Sequence, residues 1–285
     1  MQTVKTIHEM KSISAQHRCN FPDKKITLVP TMGFLHEGHL SLIRIAKKKD
    51  NFVIVSIFVN PIQFNDPADL EKYPRDETSD IEKLNASGVD LLFIPTTLDV
   101  YPDGPPDIRI DYPEITNKLC GKKRVGHFSG VLTVVHNLFQ WVKPHEAIFG
   151  QKDYQQLLLI RKMSTELNMD VKVVNGPTIR EADGLAMSSR NSRLSDEGRQ
   201  KAINIHKALK AGWNLHRNNK TLSAAHILEQ IIDILQQATI EIEYIGLYNP
   251  ETLAELDLAK PVPKALVACA VFVDGVRLID NILLD

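Results

Sequence analysis

The sequence predicts an α/β fold: a parallel sheet with helices on both faces, followed by a smaller C-terminal α+β domain. Three observations carry this. Over the first two-thirds of the chain, short apolar runs alternate with segments of helical spacing. The runs are apolar throughout rather than alternating, as in strands buried on both faces. Beyond Thr178 the order changes to two helical patterns followed by three strand-like runs.

Taken in order, the expected strands are Ile26 to Val29, Phe52 to Val59, Leu91 to Ile94, Ala147 to Phe149 and Val171 to Val174. Helices are expected at Leu40 to Lys49, Asp76 to Ser87, Gly130 to Val142 and Asp153 to Asn168. Pro95 to Pro113, rich in Pro and Asp, reads as irregular. A polar stretch, Arg180 to Asp196, leads into a helix from Ser195 to about His216, where Ser195 is a suitable cap. A second helix follows from Ser223 to Ala238, then strands at Ile242 to Leu247, Ala265 to Val273 and Val276 to Ile282. A chain of 285 residues accommodates two domains, placed here at 1–178 and 179–285.

Composition narrows the function classes. A net charge of −1 provides no global field for nucleic acid or an anionic membrane. Cys19, Cys120 and Cys269 lie far apart with no CxxC, which argues against a disulfide framework or zinc ribbon and fits a reducing compartment. No apolar signal core is seen at the N-terminus and no stretch is long enough to span a bilayer, so a cytoplasmic protein is expected.

The most informative segment is Pro30-Thr31-Met32-Gly33-Phe34-Leu35-His36-Glu37-Gly38-His39, which follows one expected strand and opens a helix. A helix start offers unpaired backbone N–H groups, a ready anion site, and imidazoles beside it can donate to phosphate. A His pair at this spacing can also be merely solvated. Gly33 and Gly38 leave room for close approach, and the strand-to-helix position is where parallel sheets bind ligands. A zinc site would need further ligands that no nearby Cys or carboxylate cluster offers.

Three other segments fit the same cleft. Ser56 to Phe64 ends a strand at Pro61 and places Asn60 and Gln63, neutral donor–acceptor amides, at its carboxyl edge. Phe149-Gly150-Gln151-Lys152-Asp153 repeats the strand-to-helix geometry with a cation at Lys152; Gln155 or Gln156 would face the pocket from the first helical turn. Arg180 to Asn191 contains Met187-Ser188-Ser189-Arg190, two hydroxyls and a guanidinium suited to polyphosphate, with Gly184 as a flexible point. Lys122-Lys123-Arg124 with His127 is a local basic cluster, either a solvated loop or an anion clamp.

These segments, with Tyr73-Pro74-Arg75, His127-Phe128-Ser129-Gly130-Val131 and Gly150 to Gln156, closely resemble the pantoate–β-alanine ligase family of the HIGH/KMSKS nucleotidyltransferases over nearly the whole chain. The resemblance implies a Rossmann-like first domain and a second domain that acts as a lid and carries the KMSKS-like loop. It implies that pantoate and ATP form a bound pantoyl adenylate with pyrophosphate released, and that β-alanine then displaces AMP. Magnesium on the phosphates and a homodimer are expected on the same ground. By resemblance, ATP meets Met32, Gly33, Phe34, Leu35, His36, Glu37, Gly38, His39, Gly150, Gln151, Lys152, Asp153, Ile179, Met187, Ser188, Ser189 and Arg190. His36, His39, Lys152, Ser188, Ser189 and Arg190 would serve the chemistry, His39 as proton donor. Gln63 and Gln156 would hold pantoate, with Asn60 and Arg124 joining the substrate site. Gln151 stands where the family commonly has Glu. Two other readings are open to the sequence: a related nucleotidyltransferase acting on a phosphorylated precursor, disfavoured by the uncharged amides of Gln63 and Gln156, and an RNA-binding relative of a synthetase domain, disfavoured by the missing basic stripe.

Overall fold

The computed structural model describes residues 1–285, which form two compact units: Met1–Gln151 with Gln155–Pro177, and Lys152–Tyr154 with Thr178–Asp285. The first unit holds six strands, β1 (Gln2–Val4), β2 (Ile26–Thr31), β3 (Phe52–Ile57), β4 (Leu91–Phe93), β5 (Glu146–Gly150) and β6 (Lys172–Gly176). All neighbours pair in parallel in the order β1-β4-β3-β2-β5-β6. The second unit holds an antiparallel sheet of β7 (Glu241–Tyr248), β8 (Ala265–Val273) and β9 (Val276–Leu284).

The helices of the first unit are α1 (Ile7–Asn20), α2 (Glu37–Lys47), α3 (Pro67–Glu71), α4 (Glu77–Ala86), α5 (Thr97–Val100), α6 (Pro113–Thr116), α7 (Leu119–Lys123), α8 (His127–Val142) and α9 (Tyr154–Glu166), the first residue of α9 grouping with the second unit. Helices α10 (Asp196–Asn218) and α11 (Ala224–Gln237) belong to the second unit.

The local causes are visible in the sequence. Val29, Val53, Val55 and Leu92 of the central strands are fully buried and pack with Ile43 and Ala46 of α2 in one core. Residues of α10, α11 and the three C-terminal strands form a second core around Ile205, Leu209, Ile231, Val267 and Val271. Ser195 and Ser223 cap α10 and α11 through Gly198 N and His226 N. The strand expected to reach Val59 stops at Ile57, because Asn60 to Gln63 turn into a short 3-10 helix led by Pro61. Asn168, with φ +49, ends the α9 region in the left-handed conformation.

The elements absent from the expected set have weak apolar signals. Strand β1 has three residues, of which only Val4 is buried, and α1 buries Ser14 and His17 beside Met10, which interrupts its stripe. The segment expected to be irregular contains α5, held by a reciprocal Thr96–Asp99 cap. No helix is long and apolar enough to cross a membrane.

Candidate active site

Strand order reverses between β2 and β5: from β2 the sheet extends through β3 and β4, from β5 to β6. Ligands bind at such a reversal, outside the carboxyl ends of the strands. Residues 32–39 leave β2 there, and Gly150 and Gln151 end or follow β5 beside it.

The loop after β2 is bound tightly to its own unit. Gly33 (φ +79) and Phe34 (φ +51) turn it through left-handed backbone. Asp80 of α4, 1% exposed, accepts from Phe34 N and Leu35 N, both at 2.7 Å. A Cβ on Gly33 would meet the Asp80 Oδ2 and Ile57 at 3.0 Å, so glycine permits this approach. Lys83 Nζ donates to Leu35 O at 2.8 Å. Gly33 N donates to Thr31 Oγ1 at 3.2 Å, and at the helix start itself Gly38 N and His39 N are taken by His36 Nδ1 and His36 O, so the N–H groups expected there to be unpaired are in part satisfied.

The histidines cap the helix they precede. His36 Nδ1 accepts from Gly38 N at 3.1 Å, and His39 Nδ1 accepts from His36 N at 3.3 Å. Accepting at Nδ1 puts the proton of each neutral ring on Nε2. The ring centroids lie 4.1 Å apart. The two imidazoles thus stand side by side at the head of α2. Glu37 is turned to Arg44 on the helix surface, in an ion pair of half-exposed side chains.

Beside the loop, Gln63 Nε2 lies 2.9 Å from Met32 Sδ. Asn60, 1% exposed, gives both amide hydrogens to protein, to Gln63 Oε1 and to Gly130 O, each at 3.1 Å, while Tyr101 donates to its Oδ1 at 2.9 Å. Both of its amide hydrogens are therefore held within the protein, one of them on the Gln63 carbonyl. Arg124 Nη1 reaches His127 Nε2 at 3.0 Å, and His127 Nδ1 reaches Gln63 O at 2.7 Å. Of the two glutamines opening α9, Gln155 is buried and donates to Ile115 O and Lys118 O at 2.9 and 2.8 Å, leaving the half-buried Gln156 as the pocket candidate. Gln151 Oε1 accepts from Asn175 Nδ2 at 3.1 Å. An open pocket of about 240 Å³ is lined by Met32, Gly33, Phe34, Phe58, Arg75 and Thr97 among others.

The second unit gathers the other polar groups. Lys152, Ser188, Arg190, Asn191 and Asp280 line one cleft. Lys152 is tied to the unit where Asn281 Nδ2 donates to its carbonyl at 2.8 Å, and Asp153 is exposed. Met187 N donates to Ile179 O at 2.9 Å, and Arg180 bridges Ala186 across a turn with Gly184 at φ +95. Ser188 Oγ caps the short 3-10 helix Ser189–Arg193 by accepting from Arg190 N at 3.2 Å. Asn191 Nδ2 donates to Glu181 Oε1 (2.6 Å) and Ala186 O (3.1 Å), and Arg199 joins Glu181 to Asp183. Arg180 forms a two-pronged pair with buried Asp280 at 2.6 and 3.0 Å. No group of three His, Cys, Asp or Glu is placed to hold a metal ion.

Asp80 and Tyr101 were not singled out from sequence, and the role of His127 was not evident there. Asp80 is one of several carboxylates in Asp76 to Asp80, and only its four-residue spacing from buried Leu84 distinguishes it. Tyr101 lies within the Pro- and Asp-rich stretch Pro95 to Pro113, with no local signal of burial.

Known proteins extend this geometry. The family model for Pantoate-beta-alanine ligase matches residues 2–283. Proteins named pantothenate synthetase from Thermotoga petrophila and Thermodesulfovibrio yellowstonii are 45% and 46% identical over 289 and 286 residues, covering all of both chains. The solved pantothenate synthetase of Thermus thermophilus superposes with a TM-score of 0.89 at 40% identity, over 99% of each chain. The pantoate-beta-alanine ligase of Francisella tularensis, solved with Beta-gamma ATP and Beta-alanine, gives 0.79 at 37% identity over 99% of this chain and 97% of that one. The chain belongs to the pantoate–β-alanine ligase family.

Proposed function

We propose that this chain joins pantoate to β-alanine at the expense of ATP through a bound pantoyl adenylate. The observation that carries this reading is the juxtaposition in the first unit of paired His36 and His39 with an uncharged amide, Gln63, linked to the same loop through Met32. Imidazole N–H donors suit phosphate; a neutral amide orients a hydroxy acid without neutralising the carboxylate that must attack.

A carboxylate is a poor electrophile because its leaving group would be oxide. One pantoate carboxylate oxygen therefore attacks the α-phosphorus of ATP, the bond to the bridging oxygen breaks, and pyrophosphate departs. The amine of β-alanine then attacks the acyl carbon, AMP leaves with the former pantoate oxygen, and the amine proton is lost. His39 donates to the phosphate as charge builds, with His36 beside it. Lys152, Ser188, Ser189 and Arg190 stabilise the departing pyrophosphate. Gln63 and Gln156 hold pantoate in attacking geometry. Residues 1–178 bind nucleotide and acid in this reading, and 179–285 supply a lid.

Magnesium would ride on the nucleotide's phosphates and neutralise their charge. A homodimer in the cytoplasm completes the reading; light scattering on the purified chain tests the dimer. The adenylate is tested with pantoate labelled by ¹⁸O in its carboxylate. Label arriving in AMP is the expected result. Label in inorganic phosphate, with ADP formed, overturns the adenylate in favour of an acyl phosphate.

A further inference from the structure

The hydrogen bonds around Gln63 fix which end of its amide faces Asn60 and which faces Met32, and the sign of that orientation can be derived from one backbone carbonyl. Gly130 O can only accept. The Asn60 atom 3.1 Å from it is therefore the nitrogen, and the Asn60 atom 2.9 Å from the Tyr101 hydroxyl is the oxygen. Tyr101 must then donate. It can always do so, because burial pushes its phenol well above the usual range and keeps the O–H intact. The second hydrogen of Asn60 Nδ2 points at Gln63, so the Gln63 atom facing Asn60 at 3.1 Å is Oε1. Nε2 is left at the other end, against Met32 of the loop after β2.

The backbone of Gln63 is fixed by the same logic. The Arg124 guanidinium only donates, so His127 Nε2 accepts and Nδ1–H donates to Gln63 O. The arrangement depends on close packing of α8 on the turn after β3: a Cβ at Gly130 would fall 2.5 Å from Ile62 O. Gly130 and Tyr101 are thus the two ends of a relay in which no amide can be turned over without setting like against like.

We propose that Tyr101 is a specificity-determining positioning residue, which acts through Asn60 to lock the Gln63 amide with Nε2 turned away from Asn60, so that the N–H not given to Met32 Sδ is the one presented to substrate. The group recognised there is then a hydrogen-bond acceptor, a carboxylate or hydroxyl oxygen, and an amide or amine nitrogen in its place is rejected. This rests on Gln63 contacting the hydroxy acid.

The test uses the full-length enzyme and steady-state pyrophosphate release, with pantoate and ATP varied separately. Gln63→Glu keeps an acceptor toward Asn60 but replaces the outward N–H donors by an anionic oxygen. The proposal predicts a rise of at least about a hundredfold in the pantoate KM at neutral pH, the scale of a donor exchanged for a repelling charge. It also predicts partial recovery at acidic pH and an ATP KM within about threefold of wild type. A pantoate KM that stays near wild type means that the carbonyl end faced the substrate, and overturns the proposal. Tyr101→Phe should raise the pantoate KM about tenfold, the loss of one buried hydrogen bond, with the ATP KM unchanged. Equal rises for pantoate and ATP, or no rise for either, would show Tyr101 to be structural only. Wild-type enzyme that releases no pyrophosphate with pantoate would sink the parent reading instead, so the two failures are distinguishable.

Discussion

The loop after β2 and the turn at Met187–Arg190 carry similar promise in the sequence, yet the structure holds them by different means. The first is over-determined. A buried carboxylate takes two of its amides, a lysine takes one carbonyl, and each histidine accepts from backbone at the head of α2. Around the second, Met187 N donates to Ile179 O, Ser188 Oγ makes one cap, and further order comes from Asn191 and the charged cluster of Glu181, Asp183 and Arg199. Buried hydrogen bonds to a charge are strong and unforgiving; half-exposed ion pairs contribute little and yield easily. If the proposed adenylation holds, the donors needed at one fixed phosphorus–oxygen geometry would sit on the more tightly bonded loop, and the groups that follow a departing pyrophosphate on the less tightly bonded one.

The sharpest way to break this comparison is His39→Ala. It should cost at least two orders of magnitude in single-turnover adenylation, the usual scale of a lost transition-state donor. A near-normal rate would remove His39 from the chemistry and the rigid loop from its role. Asp80→Asn comes next. One acceptor becomes a donor facing a backbone N–H, so the chain should lose about 1–3 kcal/mol of stability in urea titration, and adenylation should slow together with it. Unchanged stability would mean the loop does not depend on its carboxylate. Asn191→Ala tests the other region: turnover should fall several-fold, with a stability loss of about 1 kcal/mol. A larger loss there than for Asp80→Asn would invert the comparison.

The smallest expected effect concerns pH. Burial, and then Arg180, hold the His206 imidazole below its ordinary value, with Asp280 opposing and Lys210 adding to the shift. A histidine whose folded value is depressed binds fewer protons folded than unfolded. Its contribution to stability is therefore present above the unfolded value and is lost as pH falls from there through the lower folded value. Thermal melting of the wild type between pH 8 and pH 5 should decline more than that of His206→Gln; identical slopes would show that His206 contributes nothing.

Much of the architecture was legible from the chain. Runs such as Val53 to Val55 and Leu91 to Phe93 are apolar on both faces, and that pattern implies a covered parallel sheet. Ser195 and Ser223 announced their helices. Legibility failed where burial is polar. Helix α1 turns Ser14 and His17 inward, so no apolar stripe marks it. In the site, residue type was readable and connection was not. Asn60 and Arg124 have the right chemistry for a substrate contact, and the sequence did not show that they also bond Tyr101 and Gly130 in one case and His127 in the other, next to Gln63. Tyr101 lies 41 residues from Asn60, and Asp80 lies 46 from Phe34, so no local spacing connects them.

The most direct test of the account is pyrophosphate release from ATP and pantoate with and without β-alanine. The account predicts a burst of about one equivalent per chain without amine, and continuous turnover once β-alanine is present, as a bound intermediate requires. No release with pantoate, or steady release that ignores β-alanine, would contradict it.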